Sequence, residues 1–260
     1  MQNKPRFDRN SPEIKAYLRD VAQTFTREGT LIAFETCMPG MTVPIALDES
    51  RITALDIIPD GTIYGGTSGH QAHLIVACFR GLTGLVFDIG AVEGATQCAA
   101  VCCGAKGVVA FVNGPKGGRA VSTKLVRLFG QDFIQEWGVR RPAIEDQGEC
   151  APGEAVVDAV ALASRKQVVG TTTGHVFALD TDAPKPRIVG EAPGKGKIAV
   201  GSRGGVCGRD EGESLWRYDP ERQSLERRAV KLPAGAWSQP LEWAADPHDG
   251  LLYTADAQGQ

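Results

Sequence analysis

The chain has 260 residues, with 28 basic and 31 acidic side chains for a formal charge of −3, and it is 42% hydrophobic and 23% charged. That balance excludes a disordered chain, a collagen-like chain and a membrane bundle. With no basic run to track a phosphate backbone, it also argues against nucleic-acid binding. The outlying numbers are 32 glycines and 15 prolines, spread along the chain rather than pooled, which require many tight turns.

In chain order, the first predicted element is a helix. Ser11 can cap it and Pro12 sits at its first position, while Ile14, Tyr17, Leu18, Val21, Ala22 and Phe25 form one apolar stripe and Gly29 stops it. Residues 1–29 are therefore expected to be a leader and helix, and 30–260 a single domain. From residue 30 the pattern becomes runs of about four to eight residues rich in Val, Ile, Thr and aromatics, split by Gly, Pro, Asp and Asn, which is all-β. The polar N-terminus lacks an apolar signal core, and no stretch approaches the ~18 apolar residues of a membrane helix. The expectation is a cytoplasmic protein with no membrane partner. The seven cysteines lack a C-x-x-C pair and mostly sit inside apolar runs such as Ala100-Val-Cys-Cys103, so they read as buried thiols.

The β segment repeats. Ile58-Pro-Asp-Gly-Thr-Ile-Tyr-Gly-Gly-Thr-Ser-Gly-His70 leads into His73-Leu-Ile-Val-Ala-Cys-Phe79, and Ser164-Arg-Lys-Gln-Val-Val-Gly-Thr-Thr-Thr-Gly-His175 leads into Val176-Phe-Ala-Leu-Asp180. Further copies run from Val206 into Leu215-Trp-Arg-Tyr-Asp219 and from Asp249 to Gln260, with a diverged one at 106–118. Gly69, Gly174, Gly212 and Gly259 mark the units: the 105 residues from Gly69 to Gly174 make two units of about 52, and the later intervals of 38 and 47 bracket the roughly 40–50 residues of a four-stranded blade. The phrase of a polar turn, Gly and then aromatic-x-x-Asp resembles quinoprotein-like and kelch-like β-propeller blades.

That resemblance implies an all-β propeller of about five four-stranded blades behind a short N-terminal α-helix. The last unit ends after its second strand. Thr30–Cys37 and Thr42–Leu47 read as a third and fourth strand without a first or second. The N-terminal hairpin is therefore expected to complete the C-terminal blade, the alternative being that the chain is part of a larger propeller.

Propellers place ligands at one mouth of the central channel, on the loops joining the second strand to the third and each outer strand to the next inner one. The ligand-binding candidates on these loops are Thr67, Ser68, His70, His73, Arg119, Thr172, His175, Asp210, Trp237 and Asp256, with Lys116, Glu93, Glu149, Glu154, Lys195 and Lys197 beside them. His70, His175, Asp210 and Glu211 are the candidates for acid–base roles. His70 and His73 are weak metal candidates, since residues three apart on a strand face opposite ways; no metal and no cofactor are predicted. The expected function is binding of a small molecule or glycan at the channel mouth. The alternatives are a carbohydrate-active enzyme, either a glycoside hydrolase or a polysaccharide lyase, or a scaffold holding a protein partner.

Overall fold

The computed structural model describes residues 49–80, 83–125, 142–201, 204–210, 214–233, 244–246 and 251–254. The helix expected over 11–25, the hairpin expected over 30–47, and Glu211, Trp237 and Asp256 lie outside the described residues.

Eighteen strands are described, and sixteen of them form four consecutive four-stranded antiparallel sheets. The first sheet holds β1 (Glu49–Ile57), β2 (Ile63–Gly69), β3 (His73–Arg80) and β4 (Thr83–Ala91). The second holds β5 (Gln97–Cys103), β6 (Gly107–Gly114), β7 (Gly117–Lys124) and β8 (Glu145–Glu149). The third is β9 (Val156–Ala161), β10 (Gln167–Thr172), β11 (His175–Asp180) and β12 (Ala183–Glu191). The fourth is β13 (Ile198–Val200), β14 (Val206–Arg209), β15 (Ser214–Asp219) and β16 (Ser224–Lys231), followed by a paired β17 (Ala244–Ala245) and β18 (Leu252–Tyr253). Each sheet is a meander, as the repeat predicts, and in the first three the recurring glycine turn joins the second and third strands. Among the described residues there is no helix.

The core explains why the middle strands are unbroken apolar runs. Alternate residues of a strand face opposite sides of a sheet, so a strand buried on both sides shows no polar alternation. In β6, Val108, Ala110 and Val112 pack toward the first sheet with Tyr64, Leu74 and Val76. The intervening Val109 and Phe111 pack toward the third sheet with Val168, Phe177 and Leu179. In β11, Phe177 and Leu179 look back to the second sheet, while Val176 and Ala178 join Trp216 and Tyr218 of the fourth. Phe111 and Phe177 meet across the seam with ring centroids 5.3 Å apart at 47°, a tilted aromatic pair contributing about 0.5–1.5 kcal/mol beyond its burial. Outer strands such as β12 and β16 are charged and mostly exposed, which blunts their free edges.

Two glycines inside strands have a packing reason. Gly170 opposes Phe177 and Gly208 opposes Trp216 in register, and each ring lies flat over its glycine. A Cβ at Gly208 would sit 2.5 Å from the Trp216 ring, and one at Gly170 would sit 2.2 Å from the Phe177 ring.

The sheets are stitched at their seams by polar side chains. The inner strands of the second, third and fourth sheets each offer an N–H near their start to an acceptor from the preceding sheet: Cys98 N to Ser68 Oγ at 3.2 Å, Val156 N to Asn113 Oδ1 at 2.8 Å, and Ile198 N to Asp158 Oδ2 at 2.9 Å. Asn113 also donates to Val156 O at 2.8 Å, gripping both backbone groups of one residue. At the opposite rim, Arg165 occupies a left-handed turn conformation (φ 53°) and its guanidinium spans three sheets. Nη1 donates to Asp56 Oδ2 at 3.1 Å and to Cys103 O at 3.0 Å, and Nη2 donates to Ile57 O at 2.8 Å.

Two outcomes test this packing. Gly208→Ala is expected to cost about 1–3 kcal/mol, as overpacking does, read as a lower urea midpoint with an unchanged slope. Cys78, Cys98, Cys102, Cys103 and Cys150 are all buried, and desolvation pushes the Cys98 and Cys150 thiols up to about 12. With a thiol-specific chromogenic reagent, these five are expected to react only as the protein unfolds, at the unfolding rate.

Candidate functional site

One edge of the molecule gathers the second-to-third-strand hairpins and the connections between sheets, because the backbone groups of each connection must find partners. Hairpin tips supply them. Ala72 N donates to Ala95 O and Ala72 O accepts from Val92 N, both at 2.8 Å. Gly118 repeats the exchange with Glu154 O at 2.6 Å and Cys150 N at 3.1 Å, and Gly174 O accepts from Ala192 N at 2.8 Å. The connections turn tightly with Gly94 and Gly153, each at φ +68°, in Val92-Glu-Gly-Ala95 and Ala151-Pro-Gly-Glu154. A positive φ at the third residue suits glycine in such a turn.

The second of these turns delivers Glu154 to the tip of the β10–β11 hairpin. Glu154 Oε1 lies 2.8 Å from His175 Nδ1, and Oε2 accepts from Gly174 N at 3.0 Å and from the Thr172 hydroxyl. His175 N in turn donates to Thr172 Oγ1 at 2.9 Å. These donors hold the Glu154 carboxyl below its ordinary value of 4.5, the Thr172 hydroxyl contributing most, against a smaller opposing effect of burial. A carboxylate facing Nδ1 fixes the proton there, which leaves the Nε2 lone pair available. The His175 side chain is 33% exposed and that of Glu154 23%, so Nε2 is within reach of a ligand, and it has no partner among the described residues.

The other sequence candidates are divided among different places. Thr67 and His73 are buried in the first sheet: Thr67 Oγ1 accepts from His73 N at 2.9 Å, and His73 Nδ1 lies 3.1 and 3.2 Å from the two oxygens of Asp88. Ser68 is a seam residue, with its hydroxyl 2.6 Å from Thr53 Oγ1. His70 is exposed on the β2–β3 turn. Arg119 stands in β7 rather than in a loop, with Nε 3.2 Å from Asp146 Oδ2 and Nη2 donating to Glu93 O. Asp210 is buried, its Oδ2 accepting from Arg228 N at 2.9 Å. Thr172 and His175 are the pair brought together, and the group that joins them is Glu154. Sequence reasoning named Glu154 as a loop acid without pairing it to His175, 21 residues on. Aligning Ala151-Pro-Gly-Glu154 with Val92-Glu-Gly-Ala95 would have put its backbone beneath a hairpin. Among the described residues, no group of three or more His, Cys, Asp or Glu side chains is arranged to share a metal ion.

Neither the known protein-family models nor the curated proteins include a match to this chain. Solved structures do match. The chain is similar to the structure of Pseudomonas aeruginosa periplasmic gluconolactonase, PpgL, with a TM-score of 0.57 and 16% identity, over 81% of this chain and 64% of that one. It is also similar to a nidogen/laminin complex structure, with a TM-score of 0.50 and 12% identity, over 80% of this chain and 76% of that one. The chain thus spans less than two thirds of the gluconolactonase. With the four meandering sheets, these likenesses define a β-propeller-like, all-β fold, and at such identities they concern the fold alone.

The carboxylate at the centre of the cluster makes a pH prediction. Because the folded-state value of Glu154 lies below 4.5, its stabilisation is complete above the unfolded value and is lost as pH falls through the folded one. Glu154→Gln removes that dependence, so between about pH 5 and pH 3 its unfolding free energy is expected to fall less steeply than the wild type's. Urea unfolding across that range checks this; parallel profiles would show that the carboxylate is not so held.

Proposed function

We propose that this protein binds a small polyhydroxylated, sugar-derived ligand on the hairpin edge, with Glu154, His175 and Thr172 as the centre of recognition. The observation that carries the reading is the pinned imidazole. A histidine whose tautomer is fixed by a carboxylate presents one oriented acceptor to the outside, and an oriented acceptor beside a rigid hairpin suits a hydroxyl-rich ligand. The exposed Thr173 and Lys116 lie on adjoining hairpins and offer further polar contacts. The same geometry favours a second reading. An imidazole backed by a carboxylate can take a proton at Nε2 from a water, as in hydrolysis of a sugar lactone, or from the carbon next to a uronate carboxylate. The fold likeness to a protein described as a gluconolactonase makes the lactone the first substrate to try. Within this reading we take the β17–β18 pair as part of a fifth blade.

The test is a thermal-shift and calorimetric panel of aldoses, aldonates, aldonolactones and uronates, run on the wild type, Glu154→Gln and His175→Ala. At least one member is expected to bind saturably, with a loss of about tenfold or more in His175→Ala, the size of a lost hydrogen bond to an oriented partner. Acid release from an aldonolactone that disappears in His175→Ala would establish the second reading. No saturable binding by any class overturns the proposal.

A further inference from the structure

On the other side of the β6–β7 hairpin from Glu154, a cavity of about 600 Å³ opens between the first and second sheets. The two regions are separated by Gly117, where a Cβ would stand 3.0 Å from the backbone of Gly153. Val92 and Ile144 give the cavity an apolar lining, and four charged side chains surround it: Arg119, Lys116, Glu93 and Asp146.

These charges are unequally engaged. Arg119 Nη2 donates to the Glu93 carbonyl, and its Nε is buried 3.2 Å from Asp146 Oδ2 without forming a hydrogen bond. Its Nη1 has no partner among the described residues. The Asp146 side chain is 59% exposed, so its hold on the guanidinium is that of a solvated ion pair, weak and replaceable. Asp146 Oδ1 is taken by Gly148 N at 2.8 Å. Lys116 and Glu93 are exposed, and among the described residues their charged groups have no partners. The cavity is thus lined by two cations, Lys116 and Arg119, and two carboxylates, Glu93 and Asp146; Arg119 and Asp146 are loosely paired with each other, which leaves the Lys116 ammonium, one guanidinium edge and the Glu93 carboxylate for a ligand, around an apolar lining.

We infer that this cavity is a second binding site, one that takes a zwitterion with an apolar side chain, that is, a free α-amino acid. A ligand carboxylate meets Arg119 and Lys116 through charge-assisted hydrogen bonds, for which the planar guanidinium is suited. The ligand ammonium meets Glu93, and the side chain lies over the part-exposed Ile144. A simple anion would leave the Glu93 carboxylate facing it, and a simple cation would face Lys116; only a ligand carrying both charges is matched at both ends.

Calorimetry with four probes tests this: L-leucine, N-acetyl-L-leucine, L-leucinamide and glycine. L-leucine is expected to bind saturably, and each of the other three about tenfold or more weaker, since each lacks one of the matched groups. Lys116→Ala is expected to weaken L-leucine and N-acetyl-L-leucine but not L-leucinamide, and Glu93→Gln to weaken L-leucine and L-leucinamide but not N-acetyl-L-leucine. Both substitutions are at exposed positions, and an unchanged melting temperature confirms the fold. His175→Ala is expected to leave L-leucine binding intact. Absence of saturable L-leucine binding, equal affinity for the blocked probes, or loss in His175→Ala would overturn the inference.

Discussion

The architecture depends on how each inner strand is received by the sheet before it. A strand entering from a connection brings backbone groups that its own sheet does not pair, and burying them unpaired would cost more than one hydrophobic contact returns. The protein meets this three times with one N–H and three different acceptors: the Ser68 hydroxyl, the Asn113 amide and the Asp158 carboxylate. The apolar seams, with residues such as Val109, Phe111 and Phe177, fit closely because the strands on either side are fixed in register by these contacts.

That same requirement creates the candidate site. A connection crossing from an outer strand to the next inner strand runs over a hairpin tip and pairs with it, so its turn residue arrives beside the following hairpin as well. Glu154 uses its carbonyl for Gly118 in the second sheet and its carboxylate for Thr172, Gly174 and His175 in the third. The dyad is thus an outgrowth of the seam, and its orientation is maintained by the same bonds that hold two sheets together.

How much of this was legible in the sequence follows from what repeats. The glycine turns and the aromatic third strands recur in kind, so the meanders, the core strands such as β6 and β11, and the edge that gathers the hairpins could be read. The seam acceptors recur in role but not in residue type, and not all come from the same strand of their sheet: Ser68 and Asn113 stand on second strands, β2 and β6, and Asp158 on an inner strand, β9. A search for similar letters passes over them. His73 looked like a ligand-facing histidine because it follows a glycine turn, but the strand's alternation turns it inward to Asp88. Asp210 was likewise read as a loop group, and the structure commits it to neighbouring backbone; Arg119, also read as a loop group, stands in β7 with one edge on backbone. Pairings between distant residues, such as Glu154 with His175 or Arg165 with Asp56, carry no local pattern at all.

Arg165 gives the two rims different mechanics. On its side of the molecule a single guanidinium, carried by the third sheet, binds groups of the first and the second, so those three sheets are tied as one arc. On the hairpin edge each described bond joins only a sheet to its immediate neighbour. Losing that one guanidinium therefore loosens three sheets at once, whereas losing any one bond of the hairpin edge loosens a single seam.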